Sequence, residues 1–537
     1  PDPHNGSNNW AVAGTKTKSG RPILCNDPHL GLNLPSLWYE MQISTPSYNA
    51  YGVTFPGSPA IIIGFNDSCA WGVTNAGRDV KDYYEVTFQD TTETHYLFNY
   101  EWKKAEKRAE VIKIKGKPDH VEYIPMTVWG PVMYDRSYGG GRVQNGKAYA
   151  LRWTAHKPSN ELRTFLMLDR AQNIDDYRNA IKTFKNPGQN FLFASKHGDI
   201  AIKEAGNFSA KWRRQGNFIM PGKDSSYAMR SIPDSENVML VNPVRGFLSS
   251  ANQYAYDTTY PYYMGGNDYE YFRPNIINRN LAAMKDITPG DMERLQTDNY
   301  NLKAEMARPP LMRYTDEALL NSNEKKYLDI FYAWNLRNDG SETGPAIFDV
   351  WWDSLKYCMY HDEFAQTDLN LPDVADETLL RALRKDSAYT FADDITTPQK
   401  ETMRDIVTLA FKKAVPALEK AEKNGNLVWG KFKNSSIRHL LRLPSFSRLH
   451  IFSGGGAGII NAYTQVHGPS WRMIVQLTDE TEAYGLYPGG QSGNPGSKYY
   501  DTFIDKWVAG QYYPIHIFKK SEIQKQQNLL GVLSFSR

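Results

Sequence analysis

The period of the apolar residues changes twice along this chain, from strand to helix and back to strand, and that order restricts the fold more than any other feature. Trp10-Ala11-Val12-Ala13-Gly14 and Arg21-Pro22-Ile23-Leu24-Cys25 read as short strands joined by a turn-rich hairpin connection over residues 15–20. Ala60-Ile61-Ile62-Ile63-Gly64-Phe65 has no polar alternation, which predicts a strand buried on both faces, and Ala70-Trp71-Gly72-Val73-Thr74 predicts another. Residues 80–155 alternate, as in Glu110-Val111-Ile112-Lys113-Ile114-Lys115, and predict antiparallel strands with one wet face. Leu162, Phe165, Leu166 and Leu168 follow Ser159, a capping-type residue, with helical spacing. A further β segment spans residues 191–206. Residues 275–425 are then mostly helical; Met403, Ile406, Val407, Ala410, Phe411, Ala414 and Leu418 share one face of a helix expected over 398–424. Strands return at Met473-Ile474-Val475-Gln476-Leu477. The order predicts an α+β layered fold closed by its C-terminal region. No repeat of fixed period is found.

With 537 residues, 41% of them hydrophobic, the chain can bury a sizeable core; length alone allows two to four domains, although one elaborated enzyme fold can absorb as many residues. A net charge of +3 gives no electrostatic case for nucleic acid or an acidic membrane surface. No apolar run is long enough to span a bilayer, so membrane insertion is not expected. The 34 Tyr, 23 Phe and 13 Trp fit either a β-rich core or apolar clefts for a small organic ligand. Cys25, Cys69 and Cys358 form no C-x-x-C pair. H-E-x-x-H, Walker A and G-x-S-x-G motifs are absent; Gly490-Gln491-Ser492-Gly493 approaches the last but continues with Asn494. Gly454-Gly455-Gly456-Ala457-Gly458 reads as a tight turn or a close backbone crossing, and the 11 histidines lack ligand spacing. Pro1-Asp2-Pro3-His4-Asn5-Gly6 reads as loop, not as a signal peptide, and predicts that the chain begins inside a longer precursor.

Gly6-Ser7-Asn8-Asn9-Trp10 taken alone is an ordinary turn before a strand. Read with Asn26-Asp27-Pro28-His29-Leu30-Gly31 and Ala70-Trp71-Gly72-Val73-Thr74-Asn75, the chain resembles the β chain of the penicillin acylase family, N-terminal nucleophile (Ntn) hydrolases. The resemblance runs nearly end to end. It takes in Arg152-Trp153-Thr154, Ser249-Ser250-Ala251-Asn252-Gln253, Gly468-Pro469-Ser470-Trp471-Arg472 and Pro488-Gly489-Gly490-Gln491-Ser492-Gly493-Asn494.

The resemblance implies a four-layer αββα sandwich with a helical insertion and Ser7 at the start of a central strand. Residues 1–6 would be a linker remnant, 7–275 the first part of the core, 276–430 a mainly helical elaboration, and 431–537 strands and helices completing the core. It implies hydrolysis of an amide through an acyl-enzyme on Ser7. A serine hydroxyl needs a base. In this class the base is the serine's own α-amino group, whose unperturbed pKa of about 7.7–8.0 suits the task. That amine exists only after cleavage between Gly6 and Ser7, which the family performs on itself; Gly6 has no side chain to obstruct attack by the Ser7 hydroxyl.

By family position the oxyanion donors would be the backbone N–H of Asn75 and the side-chain amide of Asn252. Arg273 matches an arginine that orients that asparagine, and His29 falls where members carry Gln or His near the serine. Asn252 as a loop asparagine, His29 as a structural histidine and Arg273 as a surface ion pair are the plainer alternatives. Leu30, Ile62, Ile63 and Val73 fall on acyl-pocket positions; all are aliphatic here, which argues against assuming a phenylacetyl preference, and one or two could equally be plain core. Asp79 and Asp82 match two ligands of a structural calcium in some relatives. A third aspartate expected near residue 262 is Tyr262 here, with Asn267 and Asp268 close in sequence. No cofactor is needed for catalysis. Lys433 stands where many relatives have His, which leaves the contacts of its strand open. The family further implies a separate α chain from the same precursor, a small N-acyl substrate (a β-lactam, an N-acyl homoserine lactone or similar) and export to the periplasm. The competing readings are a non-catalytic envelope binding protein on the same scaffold and, less well supported, an ordinary serine hydrolase.

Overall fold

A computed structural model describes residues 6–135, 138, 147–266, 269–369, 371–385, 389–523 and 529–535. Two seven-stranded sheets form its centre. In the first, Ser7–Val12 lies between Phe247–Ser250 and Ile23–Gly31, followed by Arg472–Gln476, Glu482–Leu486 and Tyr513–Ile515; His467–Pro469 continues beside the end of Ile23–Gly31. The second runs Met239–Val241, Ile200–Ala205, Gln189–Ser195, Cys69–Asn75, Ile63–Asn66, Asn49–Thr54, Tyr39–Ser44. Every pairing within these two paths is antiparallel.

Side chains alternate across a strand, so each central strand serves two cores. Trp10, Val12, Ile23 and Cys25 face the helices, packing with Ile276, Ile277 and the residues of Gly344–Phe364 and Met403–Lys423. Ala11 and Leu24 face the other sheet, in one cluster with Phe65, Trp71, Phe191 and Phe193. The helices Glu161–Leu168 and Ile174–Ile181 add Phe165, Leu168, Tyr177 and Ile181 to this second cluster. The result is a helix–sheet–sheet–helix sandwich, as expected. From Phe272–Ala283 to Trp429–Phe432 the named elements are helices. A smaller sheet, centred on Ala148–Trp153 and Lys81–Val86, packs around Tyr84 and Trp129, whose rings stack at 3.9 Å.

Several local expectations are corrected. The first strand begins at Ser7, three residues before Trp10, because it pairs with Ile23–Gly31 in the register Ser7↔Pro28 to Val12↔Ile23. Of the apolar run at 60–65 only Ile63 onward is strand; the Ile61 N–H donates to Asp169 Oδ2 at 3.2 Å instead of a neighbouring strand. Glu106–Ile112 is exposed on both faces, so its alternation covers no core. Asn160, not Ser159, caps Glu161–Leu168. The long helix starts at Met403, after a capping box of Thr402 and Asp405. Lys433 ends a short helix, Trp429–Phe432, and is not on a strand.

Asp169 is fully buried, and burial pushes its carboxyl up to about 7 against the opposing pull of the Ile61 N–H. The folded protein therefore binds a proton more tightly than the unfolded chain at this site. Its contribution is complete below about pH 4 and is lost as pH rises through 7. Asp169→Asn, which keeps an acceptor for Ile61, is expected to remove this dependence. Wild type minus variant unfolding free energies should fall between pH 4 and 8, by at most about 4 kcal/mol. A flat difference in urea denaturation across that range refutes the assignment.

Candidate active site

The Ser7–Val12 strand carries polar residues where a central strand would ordinarily be apolar. Ser7, Asn8 and Asn9 are all buried. Burying polar groups costs free energy unless they are bonded, so their partners define the site. Ser7 is joined to Gly6 by a peptide bond in this chain. Its amide N–H donates to Asn252 Oδ1 at 2.6 Å, and its carbonyl accepts from Arg273 Nη1 at 3.0 Å. The Gly6 carbonyl accepts from the His29 N–H at 3.0 Å. A Cβ on Gly6 would lie 2.4 Å from Arg273 Nη2 and 2.7 Å from Asn252 Oδ1, so a side chain at this position has no space without moving both.

Asn252 follows the edge strand Phe247–Ser250 in the left-handed region, φ 73°, which asparagine tolerates better than most residues. The Asn252 N–H reaches Ser250 Oγ at 3.3 Å. Its Oδ1 also accepts from Arg273 Nη2 at 3.3 Å, while its Nδ2 donates to the Asn75 carbonyl at 2.9 Å. Guanidinium only donates and a carbonyl only accepts, so these partners fix which way the amide faces. An amide nitrogen has two hydrogens; with one on Asn75, the other remains to be given. The side chain of Asn75 accepts from the Gly77 N–H at 2.7 Å and shapes its own turn. Asn252 and Asn75, the two expected oxyanion donors, are thus neighbours.

Arg273 lies in the first turn of Phe272–Ala283, buried. Glu270 holds it from outside, pairing with Nε at 2.5 Å and accepting from the N–H groups of Phe272 at 2.6 Å and Arg273 at 3.1 Å. Its Nη1 also reaches Asn8 Oδ1 at 2.9 Å. Arg273 therefore grips Ser7, Asn8 and Asn252 from one planar fork, which a lysine cannot do.

The His29 ring points to the helical side. Its Nε2 lies 3.3 Å from Asn8 Nδ2 and 3.3 Å from Asp27 Oδ2, without forming a hydrogen bond to the carboxylate, and Nδ1 has no hydrogen-bond partner. Burial lowers its pKa below the ordinary value, outweighing the pull of Asp27. The resemblance put His29 near the serine and its amine; in this chain, with Ser7 still joined to Gly6, its main-chain N–H bonds the Gly6 carbonyl and its ring reaches Asn8, the residue next to Ser7. Arg472 Nε stands 3.9 Å from Asp27, and Asn8 Nδ2 donates to the Ile460 carbonyl at 2.9 Å.

Leu30, Ile62, Ile63 and Val73 all join the inter-sheet cluster, Ile62 and Ile63 buried and Leu30 and Val73 half-buried. Val73 donates its N–H to Asn26 Oδ1 at 2.8 Å, and Asn26 Nδ2 bonds the carbonyls of Val73 at 3.1 Å and Asn8 at 3.2 Å. Asn26 thus ties the two sheets together beside the site.

Arg78, Glu204, Tyr254 and Tyr256 were not singled out from the sequence. Arg78 and Glu204 form a buried ion pair, and the Arg78 guanidinium lies 4.8 Å and 4.9 Å from the rings of Tyr254 and Tyr256. This clamp joins the segment after Asn75 to the segment after Asn252. Lys433 is buried against the carbonyls of Gly454 and, at 3.0 Å, Tyr463, and burial pulls its pKa well down. Gly455, φ 83°, crosses so close to Asn461 that a Cβ would lie 2.3 Å from the Asn461 carbonyl. Asp79 and Asp82 come together, but around the Lys211 ammonium, at 2.5 Å and 3.0 Å. Among the described residues no group of three or more His, Cys, Asp or Glu side chains is placed to hold a metal ion, and no helix is long and apolar enough to cross a membrane. Asn267 and Asp268 lie outside the described residues.

A family model described as penicillin amidase matches residues 1–525. The acyl-homoserine lactone acylase QuiP of Pseudomonas aeruginosa is 27% identical over 94% of this chain and 66% of its own length. The penicillin acylase 2 proenzyme of Pseudomonas sp. strain SE83 is 25% identical over 64% of this chain and 43% of its own. The chain thus spans slightly less than two thirds of the length of the QuiP relative. A solved penicillin G acylase from Alcaligenes faecalis superposes with a TM-score of 0.71 over 99% of this chain and 100% of that one, at 17% identity, a likeness of fold.

Proposed function

Because this chain belongs to the penicillin amidase family, we propose that it is the catalytic β chain of an Ntn amidohydrolase that cleaves N-acyl compounds through an acyl-enzyme on Ser7. The observation that carries this reading is the bonding of Asn252: its Oδ1 holds the Ser7 nitrogen at 2.6 Å while its amide keeps an N–H for a developing oxyanion. After cleavage of the Gly6–Ser7 bond the same nitrogen is an amine. It takes the proton as Ser7 Oγ adds to the substrate's acyl carbon, then gives it to the departing amine as the C–N bond breaks. Water, deprotonated by the same amine, adds to the ester and releases the acid.

The cleavage that frees the amine uses the same atoms. Ser7 Oγ adds to the Gly6 carbonyl carbon, the Gly6–Ser7 C–N bond gives way to an ester, and water hydrolyses it. The His29 N–H, already on the Gly6 oxygen at 3.0 Å, meets the charge that this oxygen gains. The contacts around Gly6 favour glycine before the nucleophile.

The substrate class that fits is an N-acyl homoserine lactone, a β-lactam side-chain amide or a similar N-acyl compound. The names of the relatives, an acyl-homoserine lactone acylase and a penicillin acylase, support an N-acyl substrate, and the aliphatic character of Leu30, Ile62, Ile63 and Val73 favours an alkyl acyl group. An α chain from the same precursor would complete the enzyme, in the periplasm.

N-terminal sequencing of the protein expressed from its full-length precursor, with acid release measured on a panel of N-acyl substrates, tests the reading. A new terminus at Ser7 together with acid release is expected. An intact Gly6–Ser7 bond in protein that binds N-acyl compounds without hydrolysing them would establish the non-catalytic alternative.

A further inference from the structure

We propose that the Lys211 ammonium is the resident cation between Asp79 and Asp82, in the place where the family resemblance suggested calcium. The Lys211 side chain is wholly buried, and its Nζ lies 2.5 Å from Asp79 Oδ2 and 3.0 Å from Asp82 Oδ1. The start of its stem is fixed by the Lys211 N–H on the Tyr263 carbonyl at 3.0 Å. Calcium takes about six or more oxygens at roughly 2.3–2.6 Å. It cannot share these two carboxylate oxygens with an ammonium in hydrogen-bond contact with both.

The surroundings leave no room for a larger shell. Gly216, φ 90°, folds over the group so closely that a Cβ would lie 2.4 Å from Asp79 Oδ2, 2.7 Å from Asp82 Oδ1 and 2.8 Å from Lys211 Nζ. Tyr262 stands where a third aspartate would be needed, and its hydroxyl is already bound to the Glu236 carboxylate. The described residues therefore do not fit calcium. Arg152, opposite Asp82 in the paired strands, supplies further positive charge nearby.

The arrangement has a purpose for the site. Asp79 follows Asn75 by four residues, and Lys211 ties that segment to the 207–216 loop. A covalently attached cation does this without exchange, so chelators have nothing to remove.

The proposal does not rest on the hydrolase reading, because its readouts are metal content and unfolding. Full-length wild-type protein and Lys211→Met are compared by elemental analysis after exposure to calcium, and by thermal unfolding in calcium and in EDTA. Wild-type midpoints are expected to coincide in the two media. Lys211→Met, which leaves the buried Asp82 carboxylate facing the half-buried Asp79 without a cation between them, should unfold several degrees lower in EDTA. Stoichiometric calcium in wild type that Asp79→Asn abolishes would overturn the proposal, as would a Lys211→Met midpoint equal to that of wild type in EDTA. Where Lys211→Met does not accumulate, Lys211→Gln takes its place, and the wild-type calcium measurement decides independently.

Discussion

Ser7→Ala is expected to leave the precursor uncut and to abolish amide hydrolysis, with kcat falling by about 10⁶-fold, the scale seen when a nucleophile is removed from a serine hydrolase. The loss should be chemical and not structural. The Ser7 backbone bonds to Asn252 and Arg273 do not involve Oγ, and alanine is smaller than serine in a buried strand. Thermal unfolding of the variant should therefore match that of an uncut wild-type chain. Two separate measurements check the result: a gel showing the precursor at full length, and chromatography of the acid released from an N-acyl substrate. Cleavage at Gly6–Ser7 in the variant, or normal turnover by it, would remove Ser7 from the mechanism. Gly6→Ala is the companion change. It keeps the nucleophile but places a methyl group against Arg273 and Asn252, so cleavage should slow while any protein that is cut hydrolyses substrate normally, because Gly6 has then left.

A layered α+β fold was legible in the order strand, helix, strand, while the four-layer sandwich came from the family resemblance; in the structure Trp10 and Val12 serve the helices and Ala11 the other sheet. The positions of Ser7, Asn252 and Arg273 came from motif order and not from periodicity. The buried polar run Ser7-Asn8-Asn9 and the pair Asn26-Asp27 break the apolar rule for a central strand, and such breaks mark functional sites. Residue order alone therefore carries a signal for Asn8 and Asn26. Other features had no local signature. A lysine at 211 reads as a surface residue until its distance from Asp79 is known, because a contact across 132 residues leaves no period to detect. Ile61 failed as a strand residue for a similar reason: its hydrogen-bond acceptor, Asp169, lies 108 residues away. His29 sits near a strand end, where alternation sends its side chain to the helical face while its N–H turns to Gly6.

Asn252→Ala should separate the two tasks that one side chain performs. Losing an oxyanion donor costs roughly 10²–10³ in kcat in hydrolases of other folds. Here the same truncation also removes the acceptor that holds the Ser7 nitrogen and the partner of Arg273 Nη2, so the effect should lie at or above the upper end of that range. In the proposed reading the acyl group is held by the apolar cluster around Ile62 and Val73, which the change does not touch, so KM should move little. Alanine also has to adopt φ 73°, which asparagine tolerates better, so a modest loss of stability is expected alongside. Asn252→Gly relieves that backbone strain while still lacking the amide. If kcat recovers in the glycine variant, backbone geometry and not the side chain was limiting, and the oxyanion role fails. If both variants stay slow with near-normal KM, the amide itself carries the effect, and the bond from Asn252 Oδ1 to the Ser7 nitrogen becomes the link through which Arg273 acts on the nucleophile.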